Sequence, residues 1–434
     1  MKLRLSSFLI QHVLKLALLF QLGWLTAVWR WGDIARPDKV LPLLIFSAVT
    51  AVFLLLLPAT WFIKRPDWEM VLERREYWLL AGLATAVLLI GAYYASVQRV
   101  WPWDEENSFR AAQIVAEGGA VALLRGYSEL PWLGAQHPPL MMLAYGYALR
   151  LFGAKLIVMR LVGVAMGTAV TIFTYLIGRD LYDRATGWAA ALFLLSFPLI
   201  LRQTAAAMTD IPVTFFFVLA LWLTVRLLQR PSYRLAFLIA GVIGLGMLTK
   251  YTMAFIYPVF LAFFIALPEV RRQWRYLSML ALIPALFVLA WGGVAYAYGI
   301  LAAQIETLTT YAALIMTNQL ARQFALEAFT TRLPSALGPY NAPLIVLGIV
   351  VLAGCRQMAD WLLLLWIGIV WLLLGLTLPD HRYFMLTFPA VAIVMGRGYG
   401  RLPTARALIL SLLYGAGALY LFVDWLRVSR LFLP

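Results

Sequence analysis

Long apolar runs recur along almost the whole chain, and short polar stretches separate them. Most runs hold about 20 residues, enough for a helix to cross the ~30 Å hydrocarbon core of a bilayer. The apolar residues within a run are continuous rather than alternating, which predicts helices. We therefore predict an all-α polytopic membrane protein with about 13 transmembrane helices. The predicted spans cover residues 8–30, 40–63, 77–97, 156–178, 186–203, 211–229, 235–249, 252–268, 275–298, 343–355, 360–378, 383–397 and 406–426.

Two stretches differ from these spans. Residues 138–152 are apolar but short for a span and contain Arg150, and residues 300–329 interleave polar side chains with an apolar helical face. Both patterns are typical of helices that lie along a membrane surface. We divide the chain into a two-helix N-terminal extension, residues 1–76, and a transmembrane domain, residues 77–434. We expect no soluble domain after the last span.

The composition excludes a soluble globular domain. Hydrophobic residues make up 63% of the chain and charged residues 13%, whereas soluble domains carry about 25% charged residues. The net charge of +15 comes mostly from loops, where Lys and Arg set membrane orientation, so we expect no nucleic-acid partner. The basic loops predicted to be cytoplasmic lie near residues 64–75, 226–234, 271–275 and 397–406. The segments then predicted at the outer face of a plasma membrane are 98–155 and the turns near 203–211, 249–252, 299–342 and 378–383.

The long outer loop holds three consecutive carboxylates, Asp104, Glu105 and Glu106, beside Trp101 and Trp103. A carboxylate in this position could be the general base for an incoming hydroxyl group. It could equally bind a cation or belong to an ordinary solvated loop. The sequence leaves these interpretations open.

The same loop ends at His137, which Pro138 and Pro139 follow. Prolines suit the first turn of a helix, and a helix N-terminus attracts phosphate, although a lone histidine is more often structural.

In the next outer turn, Arg202 and Asp210 precede a new span. Asp210 is either the N-terminal cap of that helix or a site residue.

Two later cations are further candidates. Lys250 is the only charge within residues 235–268, and an ionisable residue among apolar spans favours a functional role, although a lysine can also reach lipid headgroups. Arg382, in the turn Asp380-His381-Arg382, could bind a phosphate with its guanidinium group or simply pair with Asp380.

The sequence specifies little cofactor chemistry. No phosphate-binding glycine loop of a nucleotide-driven machine is present. The three histidines, His12, His137 and His381, lack the spacing of metal ligands. We predict no certain cofactor, and the sequence leaves open a divalent cation held by carboxylates and a phosphate.

The order of these polar motifs resembles the GT-C membrane glycosyltransferases, specifically the dolichyl-phosphate-mannose protein mannosyltransferase and aminoarabinose transferase superfamily. The resemblance covers about residues 77–400. Its motifs are Asp104-Glu105, His137-Pro138-Pro139-Leu140, Leu151-Phe152-Gly153, Arg160-Leu161, Thr209-Asp210-Ile211-Pro212, Leu248-Thr249-Lys250 and His381-Arg382-Tyr383 with Pro389.

The resemblance implies a GT-C-like catalytic domain that takes a sugar from a polyprenyl-phosphate donor to a hydroxyl acceptor at the outer face. The acceptor class, protein, lipid or glycan, is not specified. The resemblance implies that Asp104 matches the family's acidic residue that acts as the base for the acceptor. It also implies that Glu105 and Asp210 are further acidic residues of the catalytic centre. His137 stands where some relatives have lysine. The candidate donor phosphate-binding residues are Lys250, Arg382 and His137, together with Arg202 and His381 of the outer turns.

Two other functions compete with the enzyme. A transporter or flippase for a lipid-linked or anionic substrate would carry charges near the bilayer midplane and inverted repeats. A catalytically inactive scaffold that binds membrane lipids would need the same apolar spans. The distinctive charges lie at one predicted face and no repeat is visible, which favours the glycosyltransferase.

Overall fold

A computed structural model of the chain describes residues 74–130, 137–317, 327–338, 341–376 and 380–402. The predicted spans 8–30, 40–63 and 406–426, and nearly all of the extension 1–76, lie outside the described residues. Within them the secondary structure is helical. The helices are α1 (Arg74–Val97), α2 (Asp104–Arg125), α3 (Leu140–Phe152), α4 (Leu156–Leu181), α5 (Arg184–Leu195), α6 (Pro198–Thr204), α7 (Asp210–Gln229), α8 (Tyr233–Met247), α9 (Ile256–Ala266), α10 (Pro268–Arg271), α11 (Trp274–Ala297), α12 (Ile300–Thr317), α13 (Leu333–Leu337), α14 (Ala342–Cys355), α15 (Met358–Leu376) and α16 (Phe388–Tyr399). Short 3₁₀ segments cover Tyr127–Glu129, Tyr251–Phe255 and His381–Thr387, and a π-helical turn covers Ala328–Arg332.

Five of the described helices, α1, α4, α7, α11 and α15, are long and apolar enough to cross a membrane. Two bent pairs of helices would raise the number to seven. The chain is thus a multi-pass helical membrane protein, but the prediction of about 13 spans is not confirmed. One reason is visible at α5 and α6, predicted as one span, which bend by 72° where Pro198 begins α6 because proline cannot continue a helix.

The predicted surface helices are present as short helices. α3 has 13 residues and packs on both α2 and α4, and α12 covers the first part of the predicted amphipathic stretch. Their depth in a membrane stays a prediction. The sequence pattern did not predict α2, a 22-residue element with a kink at Gly119 and too few apolar residues to be recognised as a span.

Helix α4 lies at the centre of the fold and contacts α1, α3, α5 and α7. Its glycines permit a close approach of the segment that leads into α7. A Cβ atom on Gly167 would lie 2.5 Å from the side chain of Thr204, and one on Gly163 would lie 3.0 Å from the carbonyl oxygen of Ala206. Residues 204–206 are therefore pressed against α4, which fixes where Asp210 enters the helix that follows.

The end of the bundle where α4 and α7 finish carries its own buried ion pairs. Arg179 donates to Asp180 Oδ1 from Nη2 at 2.6 Å, and Arg226 Nε lies 3.0 Å from Asp180 Oδ2. Trp222 Nε1 donates to the same Oδ2 at 3.2 Å. We call these four residues the far-end cluster. It joins the C-terminal turns of two membrane-spanning helices.

Candidate active site

The opposite end of the bundle brings together parts of the chain that are far apart in sequence. α2, α7 and the 3₁₀ segment 381–387 all begin there, and α8 ends there just before Lys250. The candidate residues Asp104, Asp210, Lys250 and Arg382 come from these four segments. Because helix termini leave unpaired backbone groups and open loops, they are common places for polar sites.

Two ion pairs form the centre of the site. Lys250 Nζ donates to Asp210 Oδ1 at 2.5 Å, and Arg382 Nη1 donates to Asp104 Oδ2. The same Nη1 lies 3.9 Å from Asp210 Oδ2, so the two pairs form one network. The side chains of Asp210 and Lys250 are 3% and 8% exposed, whereas Asp104 and Arg382 are each 16% exposed. The Asp104–Arg382 pair is the more accessible of the two.

Asp380 completes this network from the side of Arg382. Its Oδ2 accepts hydrogen bonds from Nε and Nη2 of Arg382 at 3.0 and 2.8 Å. Nδ1 of His381 lies 2.8 Å from its Oδ1. Burial alone would raise the pKa of Asp380, but the hydrogen bond from His381 and the charge of Arg382 hold this pKa well below its ordinary value. Asp380 therefore stays ionised.

The backbone before Asp104 is tightly turned. Trp103 has φ 69° and ψ −63°, and the Asp104 N–H donates to the carbonyl of Pro102 at 2.8 Å. This is a γ-turn, a conformation that is rare and strained for a residue with a side chain. The turn directs the chain into α2, with Asp104 as the first helical residue.

The three consecutive carboxylates of the sequence have three different environments. Asp104 meets Arg382, and Glu106 is exposed at the surface of α2. Glu105 is 0% exposed, with both oxygens bonded to Arg160 at 2.8 and 2.7 Å. An inaccessible, paired carboxylate cannot receive a proton from a substrate, so the structure gives Glu105, predicted as a catalytic residue, a position behind the site.

The Glu105–Arg160 pair joins three segments that carry the site. Glu105 Oε1 accepts from the backbone N–H of Ala207 at 2.8 Å, close to the start of α7. Its Oε2 accepts from the N–H of Trp101 at 3.0 Å. Arg160 also donates to three carbonyl groups at the end of α1, those of residues 95, 98 and 99. The pair therefore fixes Asp104 and Asp210 relative to each other.

His137 is held beside the network, and its side chain is buried. Its carbonyl accepts a hydrogen bond from Tyr127 Oη at 2.5 Å, and the first residue of α3 donates to the carbonyl of Leu248 at 3.0 Å. Burial first, and then the charge of Lys250, lower the pKa of His137 from 6.5 to about 3. The imidazole is therefore neutral near pH 7.

Aromatic rings lie beside two of the cations, Arg202 and Lys250. The guanidinium of Arg202 stacks on the ring of Trp101, 3.7 Å from its centroid, and Lys250 Nζ lies 4.6 Å from the centroid of the Tyr383 ring. Such rings stabilise cations. The site thus includes every predicted candidate except Glu105, and it adds Asp380 and Tyr383.

Arg160 and Asp380 are members of the site that the sequence alone did not assign to it. A signal was present for Arg160, because a charge four residues into a long apolar helix needs a partner. For Asp380, the short spacing to Arg382 indicated only a local pair. Among the described residues, no group of three His, Cys, Asp or Glu side chains is arranged to bind a metal ion.

Part of the chain matches a known protein family. Residues 136–291 match the family model of dolichyl-phosphate-mannose-protein mannosyltransferases, a segment that includes His137, Asp210 and Lys250. No curated protein sequence matches the chain.

Solved structures share the fold. ArnT from Cupriavidus metallidurans in the apo state has a TM-score of 0.59 at 15% identity, over 79% of this chain and 64% of ArnT. The same protein bound to undecaprenyl phosphate gives 0.55 at 16% identity, over 81% of this chain and 71% of ArnT. The oligosaccharyltransferase AglB from Archaeoglobus fulgidus, with an inhibitory peptide and a dolichol-phosphate, gives 0.54 at 10% identity, over 83% of this chain and 57% of AglB. The predicted resemblance to the GT-C membrane glycosyltransferases is confirmed by the shared fold and by the family model over residues 136–291.

Proposed function

We propose that this chain, whose fold is that of the GT-C membrane glycosyltransferases, transfers a sugar from a polyprenyl-phosphate donor to an acceptor hydroxyl group. The observation that carries the proposal is the network of Asp104, Asp210, Lys250 and Arg382. It combines a partly exposed carboxylate with two cations at the end of apolar helices. A base, an anion site and a lipid environment are the parts that this reaction requires.

Lys250 and Arg382 bind the donor phosphate in this proposal. Two similar folds were solved with undecaprenyl phosphate and with a dolichol-phosphate, which supports a donor of this lipid class. The isoprenoid chain would lie among the apolar helix faces, while the phosphate meets the cations at their ends. Arg202 and His381 stand at the edge of the same network and add positive or hydrogen-bonding groups.

Asp104 is the base for the acceptor. It takes the proton of the hydroxyl as the hydroxyl oxygen bonds to the anomeric carbon, and the electron pair of the broken C–O bond leaves on the phosphate. Lys250 and Arg382 stabilise the charge that develops there, which is effective in a water-poor site. A single displacement of this kind inverts the anomeric configuration. Asp210 holds Lys250 in place, and Glu105 with Arg160 holds the segment that carries Asp104.

The site faces the periplasm or the cell exterior in this proposal, and the protein resides in the plasma membrane. The helix ends and short loops at the far end carry several arginines, among them Arg226, Arg230, Arg271 and Arg272. Short basic loops stay in the cytoplasm. The network lies at the other ends of the same helices, which supports an outer location.

The test uses purified protein in nanodiscs with radiolabelled polyprenyl-phosphate sugars, and it measures sugar release to water or transfer to membrane extract. We expect activity with at least one donor and a loss of about 100-fold or more in Asp104→Asn, the range for removal of a general base. Glu106→Gln is the matched control and should keep wild-type activity, because Glu106 is exposed on α2.

Lys250→Ala separates donor binding from chemistry. We expect it to weaken donor binding more than Asp104→Asn does, whereas Asp104→Asn should mainly lower turnover. Equal and negligible turnover of wild type and Asp104→Asn with every donor would exclude the enzymatic function.

A further inference from the structure

We propose that Asp380 is a positioning residue for Arg382, and that Arg382 holds Asp104 in an ion pair which the donor phosphate must open before Asp104 can act as base. This inference rests on the proposed function and adds an order of binding to it. The donor must bind first, and the acceptor hydroxyl can be activated only afterwards.

The first step is the geometry of Asp380. One oxygen of its carboxylate accepts from both Nε and Nη2 of Arg382. Its other oxygen accepts from the backbone N–H of Arg382 at 3.0 Å. Because a guanidinium group is planar and rigid, fixing this edge determines the direction of the opposite edge. Nη1 therefore points away from Asp380 and into the site.

The second step is the partner of Nη1. It donates to Asp104 Oδ2 and lies 3.9 Å from Asp210 Oδ2. The other cation, Lys250, is paired with Asp210 at 2.5 Å. Each cation that is to bind phosphate thus already has a carboxylate partner, and a phosphate must compete with it.

The third step decides which pair opens. Asp210 and Lys250 are almost fully buried, whereas Asp104 and Arg382 are each 16% exposed. An accessible pair is weaker than one closed off from water, because water solvates its charges when they separate. A phosphate that approaches Arg382 takes over Nη1, and Asp380 keeps the guanidinium in place during the exchange. Asp104 is then free to accept a proton.

The experiment measures binding of undecaprenyl phosphate, which carries no sugar, to the full chain in nanodiscs. We expect Asp104→Asn to bind undecaprenyl phosphate about 5-fold more tightly than wild type. This is a modest coupling free energy, and it arises because Asp104 and the phosphate compete for the guanidinium of Arg382. The cause is that the amide no longer competes as an anion for Nη1. Glu106→Gln removes one negative charge from the same turn of α2 without touching Arg382, and its affinity should equal that of wild type.

Asp380→Asn should have the opposite effect. It removes the same amount of negative charge, yet we expect about 10-fold weaker binding, because the guanidinium loses its anchor. Asp380→Glu should recover part of the affinity. At saturating donor, the turnover of Asp380→Asn should fall less than its donor affinity does. The unfolding temperature of each variant checks that it is folded, and the Asp104→Asn result stands independently of Asp380.

Several outcomes would overturn the inference. These are unchanged or weaker binding in Asp104→Asn, equal tightening in Glu106→Gln, or tighter binding in Asp380→Asn. If wild type transfers sugar but Asp104→Asn does not bind more tightly, the inference fails and the proposed function stands. If wild type does not bind undecaprenyl phosphate, the donor class and the inference both fail.

Discussion

The two ends of the helix bundle hold similar charges in different ways. In the far-end cluster, Asp180 is surrounded by Arg179, Trp222 and Arg226, which lie in the C-terminal parts of α4 and α7. At the site, Arg382 contacts Asp380 two residues away and Asp104 at a separation of 278 residues. One cluster is held by regular helices, and the other is shared between loops and helix starts.

The difference separates a structural role from the functional role that we propose for the site. Each oxygen of Asp180 already accepts at least one hydrogen bond from side chains that helices hold rigidly, so the cluster joins α4 to α7. Arg382 divides its donors between carboxylates of different segments, and one of its pairs is accessible. A network of this second kind can exchange a partner for a ligand, whereas breaking the first kind leaves charges buried without compensation.

The largest expected effect on stability comes from breaking the far-end cluster. Asp180→Ala leaves Arg179, which is 0% exposed, without its partner carboxylate. We expect a loss of about 3–5 kcal/mol in unfolding free energy, with unchanged turnover per folded molecule. Thermal unfolding and the activity of the folded fraction measure the two quantities.

A control for this variant lies in the same region. Asp183 caps α5 by accepting from the N–H of Thr186 at 2.7 Å, so Asp183→Ala should cost only about 1 kcal/mol. Equal destabilisation by Asp180→Ala and Asp183→Ala would contradict a special role of the far-end cluster. Lower turnover per folded molecule in Asp180→Ala would contradict the separation of roles.

Glu105→Gln tests the buried Glu105–Arg160 ion pair, which resembles the buried ion pairs of the far-end cluster. The amide keeps the shape of Glu105 but loses the charge opposite Arg160, so we expect a loss of about 2 kcal/mol in stability. Turnover should fall as well, because the segment that carries Asp104 is less well fixed. Asp104→Asn, in contrast, should lower turnover with little change in unfolding temperature. A Glu105→Gln protein with wild-type stability would show that the buried pair does not organise the site.

The site also makes the stability of the protein depend on pH. The folded protein keeps His137 neutral down to about pH 3, whereas the unfolded chain protonates it below about 6.5. The unfolded state therefore binds more protons in this window, and stability falls as the pH drops from 6.5 towards 3. The unfolding temperature between pH 7.5 and 4.5 measures the effect, which should be smaller in His137→Gln.

The titration of Asp380 does not contribute to the change in unfolding temperature between pH 7.5 and 4.5. Its pKa is held below the ordinary value of 3.8, so the stability it contributes is present above pH 3.8 and is lost only below it. The same fall in unfolding temperature for wild type and His137→Gln would therefore rule out His137 as the cause.

The sequence determined the class of the protein and most members of the site. Continuous apolar runs specify membrane helices because an unpaired backbone is too costly in lipid, and charges that interrupt such runs indicate functional residues. Lys250 was recognised in this way. The number of spans could not be predicted as well. The bend at Pro198 divides a run that was predicted as one span, and α8 and α9, each predicted as a span, are short apolar helices.

Only the tertiary structure decided which charges meet. Asp104 and Glu105 are neighbours in sequence, yet successive side chains point about 100° apart on a helix, so one faces Arg382 and the other Arg160. Nothing in a local pattern connects Asp104 with a residue 278 positions away. Local periodicity specifies which residues are buried, whereas the pairing of charges depends on how the helix ends are brought together by packing.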